Sequence, residues 1–343
     1  MAYQQMGPAS GQMEYVEDVV TKVRGRFGNL IGAKESEIGL VHCTKAGEQI
    51  AIDAVDDIKM GGGIVTNDLH FSGSLHNLMG LQATGRKVTV VKAENWQVPT
   101  EKMLAAIDDS TALVVLSLVS NVNGHIENMA EITQKAHRHG ALVYADFIQA
   151  AGTMPLDIRA LGVDMAACST YKWLFGVFGA GFVYVRQDLQ GKRLRDRLFP
   201  GRVDYNYTPW TETADPSQPD WITQANSDAT RYQPGHVNYM GYCAAYEGLQ
   251  FLESMGVETI WKKALGLNQR LHHGLDPEKY TCISPHMQQS AILCYMPKDR
   301  ADLRTKLEAA KITITHIGNR IRISPAVYNT EADIDALLHV LNS

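Results

Sequence analysis

LVYADFIQAAGTMPLDIRALGVDMAACSTYKWLFGVFGAGFVYV, residues 142–185, decides the fold. Three short apolar runs, LVYAD, MAACS and FVYVR, are separated by polar and glycine-rich connections. The first run ends on Asp146, and Lys172 stands three positions beyond the second. In an open parallel sheet ligands gather beyond the carboxyl ends of the strands, which makes both residues candidates for chemistry. The 26 positions from one to the other leave room for a helical crossover, which sets the two strand ends side by side.

Outward from this stretch the alternation continues. IGLVH, GIVTND, KVTVVKA and ALVVLSL come before it, with helical segments between them. Such alternation predicts an α/β fold with a mostly parallel seven-stranded sheet flanked by helices. Within IENMAEITQKAHRHG, Met129, Ile132 and Ala136 share one helical face, and Gly140 supplies the cap. Residues 199–238 are rich in Pro, Asp, Tyr and Trp without periodicity. A loop that long is usually functional or interfacial, so Arg202, Tyr205, Tyr207 and Trp210 are expected near the substrate. Two helices follow over roughly 239–275, then strands in TCIS, SAILCYM, ITITH and RIRIS around the helix RADLRTKLEAA, and a final helix from about Thr330. The expected organisation is a large lobe over 1–238, including an N-terminal helical segment, and a small C-terminal α+β lobe over 239–343.

Composition narrows the function classes. With 343 residues, 45% of them hydrophobic, the chain holds enough apolar material for two cores. No run approaches the roughly 18 apolar residues of a membrane helix, and MAYQQMGPASGQ lacks a basic stretch followed by an apolar one. A cytoplasmic protein without a membrane partner is expected. The net charge of −5 comes without any basic block, which argues against nucleic acid as a partner. Five cysteines form neither CxxC nor a Cys/His cluster at metal spacing, so no disulfide framework and no metal site are expected. The glycines of GVFGAGF have the wrong spacing and setting for a dinucleotide loop.

A carboxylate and an amine sharing a pocket suit a pyridine cofactor. The carboxylate keeps the ring nitrogen protonated, and the amine forms the imine. Taken alone the pair is weak, because most strand-end Asp and Lys residues are simply solvated. Its surroundings are specific: the stretch from Ala145 to Val185 resembles the signature of the class V aminotransferases and their cysteine desulfurase relatives, pyridoxal-phosphate (PLP) enzymes of fold type I. The resemblance covers roughly residues 36 to 343. It implies that Asp146 contacts the pyridine nitrogen, Gln149 lies near the ring hydroxyl or imine, Ser169 helps hold the phosphate, and Lys172 is the catalytic Schiff-base lysine.

Other segments extend this resemblance. VHCTKAGEQIAI is similar to the family's phosphate loop and turns Thr44 and Lys45 toward the phosphate, although Cys43 replaces the usual glycine and Lys45 a threonine. NDLHFSGS resembles the segment that supplies the ring-stacking side chain; alignment places Phe71 there, with His70 one position off as competitor. SNVNG matches the turn whose asparagine, Asn121, touches the cofactor hydroxyl. In RISPAVYNTEADIDALL the family's arginine grips the substrate carboxylate, which makes Arg322 the anchor and Arg320 its rival. RYQPGHVNYMG carries His236 where the family places a threonine that reaches the neighbouring subunit's phosphate. For His236 a phosphate donor and a structural histidine are both open readings.

The resemblance therefore implies a homodimer with shared active sites acting on a small α-amino acid, by transamination or by carbon–sulfur β-elimination. An isopenicillin-N-epimerase-like racemase or epimerase is the alternative. Classical desulfuration needs a nucleophilic cysteine on a loop ahead of the carboxylate-binding strand. Cys294, 28 residues before Arg322, lies instead within the apolar run SAILCYM. A non-catalytic PLP-binding protein is disfavoured by the presence of both Asp146 and Lys172.

Overall fold

The computed structural model describes residues 10–194, 227–285, 289–299 and 301–343. Arg202, Tyr205, Tyr207 and Trp210 lie outside the described residues. Seven strands form the larger sheet: β1 (Ile38–Val41), β2 (Gly63–Asn67), β3 (Val88–Val91), β4 (Thr111–Ser117), β5 (Leu142–Asp146), β6 (Met165–Ser169) and β7 (Gly181–Val185). Each falls on a run that the sequence marks as a strand. Their order is β1-β7-β6-β5-β4-β2-β3. The five strands from β3 to β6 in that order run parallel, and β7 pairs antiparallel with both β6 and β1. Every residue of β4, β5 and β6 is buried, as expected of strands covered on both faces.

The chain's first helix, α1 (Ser10–Ile31), sends Val23, Phe27 and Ile31 into this core. Phe27 stacks on Phe182 of β7 with ring centroids 4.2 Å apart. Crossover helices follow in chain order: α2 (Thr44–Asp53), α3 (Val55–Ile58), α4 (Ser72–Ala83), α5 (Thr100–Ala106), α6 (Met129–Arg138) and α7 (Ile158–Leu161). The α6 helix buries Met129, Ile132 and Ala136, and Gly140 just beyond it takes φ +72°, where a side chain would be strained. Gly47 allows α2 to lie almost against β6. A Cβ there would come within 2.5 Å of Ala167 Cβ.

The long helices α8 (Tyr239–Met255) and α9 (Val257–Gly274) come next, separated by Gly256 at φ +75°. A second sheet contains β8 (Tyr280–Cys282), β9 (Leu293–Pro297), β10 (Thr315–Ile317) and β11 (Arg320–Ile323), in the antiparallel order β10-β11-β9-β8. With α10 (Leu303–Ala309) and α11 (Glu331–Asn342) it encloses its own core around Leu271, Leu293, Ile321 and Leu337. Two details differ from the sequence reading. The strand expected from Ile312 begins only at Thr315, because the Ile312 amide donates to Leu307 O and closes the end of α10. Helix α8, expected to open the small lobe, buries Tyr242, Ala245, Leu249 and Leu252 in the core of the larger sheet. Among the described residues no helix is long and apolar enough to cross a membrane.

Candidate active site

The parallel strands β4, β5 and β6 end together. Ser117 pairs in register with Asp146, and Asp146 with Ala167, two residues before the end of β6. Asp146 is 4% exposed, and one of its carboxylate oxygens accepts a 2.8 Å hydrogen bond from the Ile148 amide. Burial raises its carboxyl to about 6, against the pull of that amide and of the nearby His70 and Lys172. Lys172 is moved the other way. Burial lowers its amine below the ordinary lysine value, Asp146 opposes that shift, and the charge of Arg322 adds to it. Both groups are thus drawn toward their neutral forms.

A cavity of about 170 Å³ opens between them. Thr44, Lys45, Phe71, Asp146, Ser169 and Lys172, all named from the sequence, line it together. Thr44 and Ser169 are tied reciprocally: the Thr44 amide donates to Ser169 Oγ at 2.8 Å, the Ser169 amide to Thr44 Oγ1 at 2.9 Å, and the two hydroxyl oxygens are 2.9 Å apart. This knot fixes the start of α2 against the end of β6 and presents a helix N-terminus with two hydroxyls, a setting suited to an anion. Lys45 Nζ donates to Gly73 O at 2.7 Å, so its ammonium is held over the same mouth. The donor set fits PLP: an anion cup, a buried carboxylate, a half-buried amine and an aromatic wall.

The remaining candidates lie outside this lining. Gln149, buried, accepts at Oε1 from Trp173 Nε1 at 2.9 Å. Arg322, half-buried, donates from one terminal nitrogen to Asn121 O and from the other to Thr315 Oγ1 at 3.2 Å. It lines a separate hollow of about 540 Å³ in the small lobe with Ser324, Asn329 and Asp333. His236 is exposed, with Nδ1 2.9 Å from the Tyr239 hydroxyl. His70 is 1% exposed and tied to Ser117, whereas Phe71 faces the cavity.

Cys43, noted from the sequence in place of a glycine, also lines the cavity, as do Glu48, Ser74, Ile148 and Tyr171, which the sequence does not mark. A helical signal for Glu48 was present, because it follows Thr44 by four residues and so shares its face of α2. Tyr171 is the immediate neighbour of Lys172; its ring stacks on Phe178 at 4.4 Å.

Comparison with known proteins places this geometry in context. A probable cysteine desulfurase of Methanothermobacter thermautotrophicus is 27% identical, over 92% of this chain and 81% of the relative. The cysteine desulfurase IscS of Shewanella putrefaciens is 31% identical over 52% of this chain and 46% of its own. Among solved structures, a variant of C-DES with glycine covalently linked to its PLP cofactor superposes with a TM-score of 0.84 at 20% identity, covering 99% of this chain and 89% of the other. The apo cysteine desulfurase of Thermococcus onnurineus gives 0.78 at 19% identity, over 98% and 85%. These structures share fold type I with the present sheet and small lobe. The family model for class-V aminotransferases matches residues 8–337, starting 28 residues earlier than the resemblance read from the sequence and taking in all of α1. With Asp146 and Lys172 facing one cavity inside that matched span, the chain belongs to the class-V aminotransferase family of PLP-dependent enzymes.

Proposed function

We propose that this enzyme acts on a small sulfur-bearing α-amino acid of the cysteine type and breaks its carbon–sulfur bond by β-elimination. The meeting of Asp146 and Lys172 in one cavity carries the cofactor assignment. The substrate class is supported by relatives named as cysteine desulfurases. The mode of cleavage follows from the cysteines. Cys294 is fully buried within β9, and burial pushes its thiol up to about 11, so it is not a thiolate waiting for substrate sulfur. Cys43 does line the cavity, but at the helix start assigned to phosphate. These two placements support release of the sulfur as sulfide, by which cysteine and one water give pyruvate, ammonia and hydrogen sulfide.

PLP, when bound, supplies the electron sink that labilises bonds at the amino-acid α-carbon. The chain's own residues supply the rest. Thr44, Ser169, Lys45 and the α2 N-terminus hold the phosphate. Asp146 would accept from the ring nitrogen, Phe71 would cover a ring face, and Gln149 and Asn121 would serve the ring hydroxyl. Lys172, lowered toward a free base by burial, attaches the cofactor and moves the α-proton. Arg322 takes the substrate carboxylate. We also propose a homodimer in which His236 reaches the other copy's phosphate. Its support is the exposed apolar surface of Tyr171, Val177, Phe178 and Met240, to which the 236–238 segment is joined by an Asn238 to Phe178 hydrogen bond of 3.2 Å.

Four outcomes check this reading. Lys172→Ala is expected to lose borohydride-fixable PLP and all release of sulfide and pyruvate; cofactor still fixed on that variant would move the lysine elsewhere. Arg322→Ala is expected to keep its cofactor but weaken amino-acid binding by about 2–5 kcal/mol, read by spectral titration with cysteine. Unchanged affinity removes Arg322 as anchor. The folded cofactor-free protein holds the Asp146 proton more tightly than the unfolded chain, whose aspartate titrates near 4 (roughly). That contribution to stability is present below the unfolded value and lost as pH rises through about 6. Asp146→Asn is therefore expected to show a smaller fall in urea midpoint across this window, and an identical profile would contradict the buried carboxyl. Finally, sedimentation of the loaded enzyme should give a dimer, while monomer alone at micromolar concentration would refute the shared site.

A further inference from the structure

The turn at 120–124, just past the end of β4, holds a side chain that the assignments above do not use. Asn123 is fully buried, and both polar atoms of its amide are engaged. The two N–H groups of Nδ2 donate to carbonyls on opposite sides, Trp96 O of the large lobe at 2.6 Å and Ile283 O of the small lobe, immediately after β8, at 2.9 Å. Its Oδ1 accepts from the His125 amide at 3.1 Å, which folds the turn on itself. One buried amide therefore bridges the two lobes.

The backbone of the same turn grips the small lobe as well. Ser284 Oγ donates to Asn123 O at 2.6 Å and accepts from the Cys294 amide at 2.8 Å. Cys294 is the register partner of Arg322 in the β9–β11 ladder, and Arg322 donates from a terminal nitrogen to Asn121 O. Asn121, Arg322, Cys294, Ser284 and Asn123 thus form a closed ring of contacts that crosses from one lobe to the other and back. Gly124 completes the fit at φ +76°, where a Cβ would come within 2.5 Å of Ile292 O and 2.6 Å of Ser290 Oγ. Apolar contact between the lobes, at Ile292 and Val327, is non-directional and tolerates sliding. Hydrogen bonds from a fixed amide do not, because they weaken steeply when bent or stretched.

We propose that Asn123 is a positioning residue for the substrate carboxylate: by fixing β8 and β9 against the 120–124 turn, it sets where the Arg322 guanidinium stands. The inference rests on the reading of Arg322 as the carboxylate anchor. A guanidinium pairs well with a carboxylate only in a narrow geometry, so a small slip of β11 against the turn misplaces it. The effect is selective. Trp96, Asn123, Ile283 and Ser284 do not line the Lys172 cavity, so loss of the Asn123 amide weakens ligands that carry a carboxylate and spares amines that lack one.

The test is a spectral titration of the PLP-loaded enzyme with two amines that cannot eliminate, L-alanine and ethylamine, which differ only by the carboxylate. Asn123→Ala should weaken L-alanine by about tenfold and leave ethylamine unchanged. In the Arg322→Ala background the same substitution should have no further effect on L-alanine, since the group it positions is gone. Unchanged L-alanine affinity in Asn123→Ala, an equal loss with ethylamine, or a full loss that persists without Arg322 would each overturn the proposal, because general damage to the fold spares neither ligand. Should Asn123→Ala not accumulate as folded protein, Ser284→Ala, which removes the link between Cys294 and Asn123 but keeps the buried amide, is expected to show the same selective loss at a smaller size; no loss there is equally fatal. If Arg322→Ala alone leaves L-alanine unaffected, it is the anchor assignment that fails, and this inference with it.

Discussion

A carboxylate taken out of water at the end of β5 is the constraint around which the rest of the site is arranged. Asp146 is held by strands on both sides and is 4% exposed. Burying an ion is costly unless something nearby compensates it. The fold meets this cost in part with the Ile148 amide and the nearby Lys172 amine, and the carboxylate opens on the cavity. The position of Lys172 follows from the same requirement. Its amine sits where burial lowers it and Asp146 draws it back, so the two groups share one low-dielectric space.

The anion cup shows how backbone packing reaches the chemistry. Thr44 starts α2 and Ser169 ends β6, and their reciprocal hydrogen bonds require the helix to approach the strand more closely than a side chain at position 47 would allow. Glycine is found there, and the reason lies in the contact with Ala167 rather than in any turn. The helix dipole, the two hydroxyls and the Lys45 ammonium then act at a single point. Packing and binding are joined here through one missing methyl group.

Much of this could be read from the sequence because the signals are local. Each of the seven large-sheet strands is a short apolar run bounded by polar or glycine residues, and buried parallel strands give that pattern strongly. Asp146 and Lys172 stood out because they follow such runs directly. Glu48 escaped notice because a glutamate on a helix is ordinarily solvated, and only the tertiary approach of α4 and His70 buries it. The strand at Ile312 was placed too early because helix closure by its amide is invisible to a count of alternating residues. Helix α8 was assigned to the wrong core for a related reason. Its apolar face is legible, but which sheet that face meets depends on α1, more than two hundred residues away in the chain.

Arg322 links the two sheets, since it belongs to β11 of the small lobe and donates to the Asn121 carbonyl beside the large one. Its two terminal nitrogens are engaged in this way, while its buried Nε has no hydrogen-bond partner among the described residues. A carboxylate accepts from a guanidinium through shorter and stronger hydrogen bonds than a peptide oxygen does. A neutral amide or an alcohol in the same place offers no such advantage. The contact between the lobes at Arg322 thus ranks an anionic acceptor above an uncharged one at the same nitrogen.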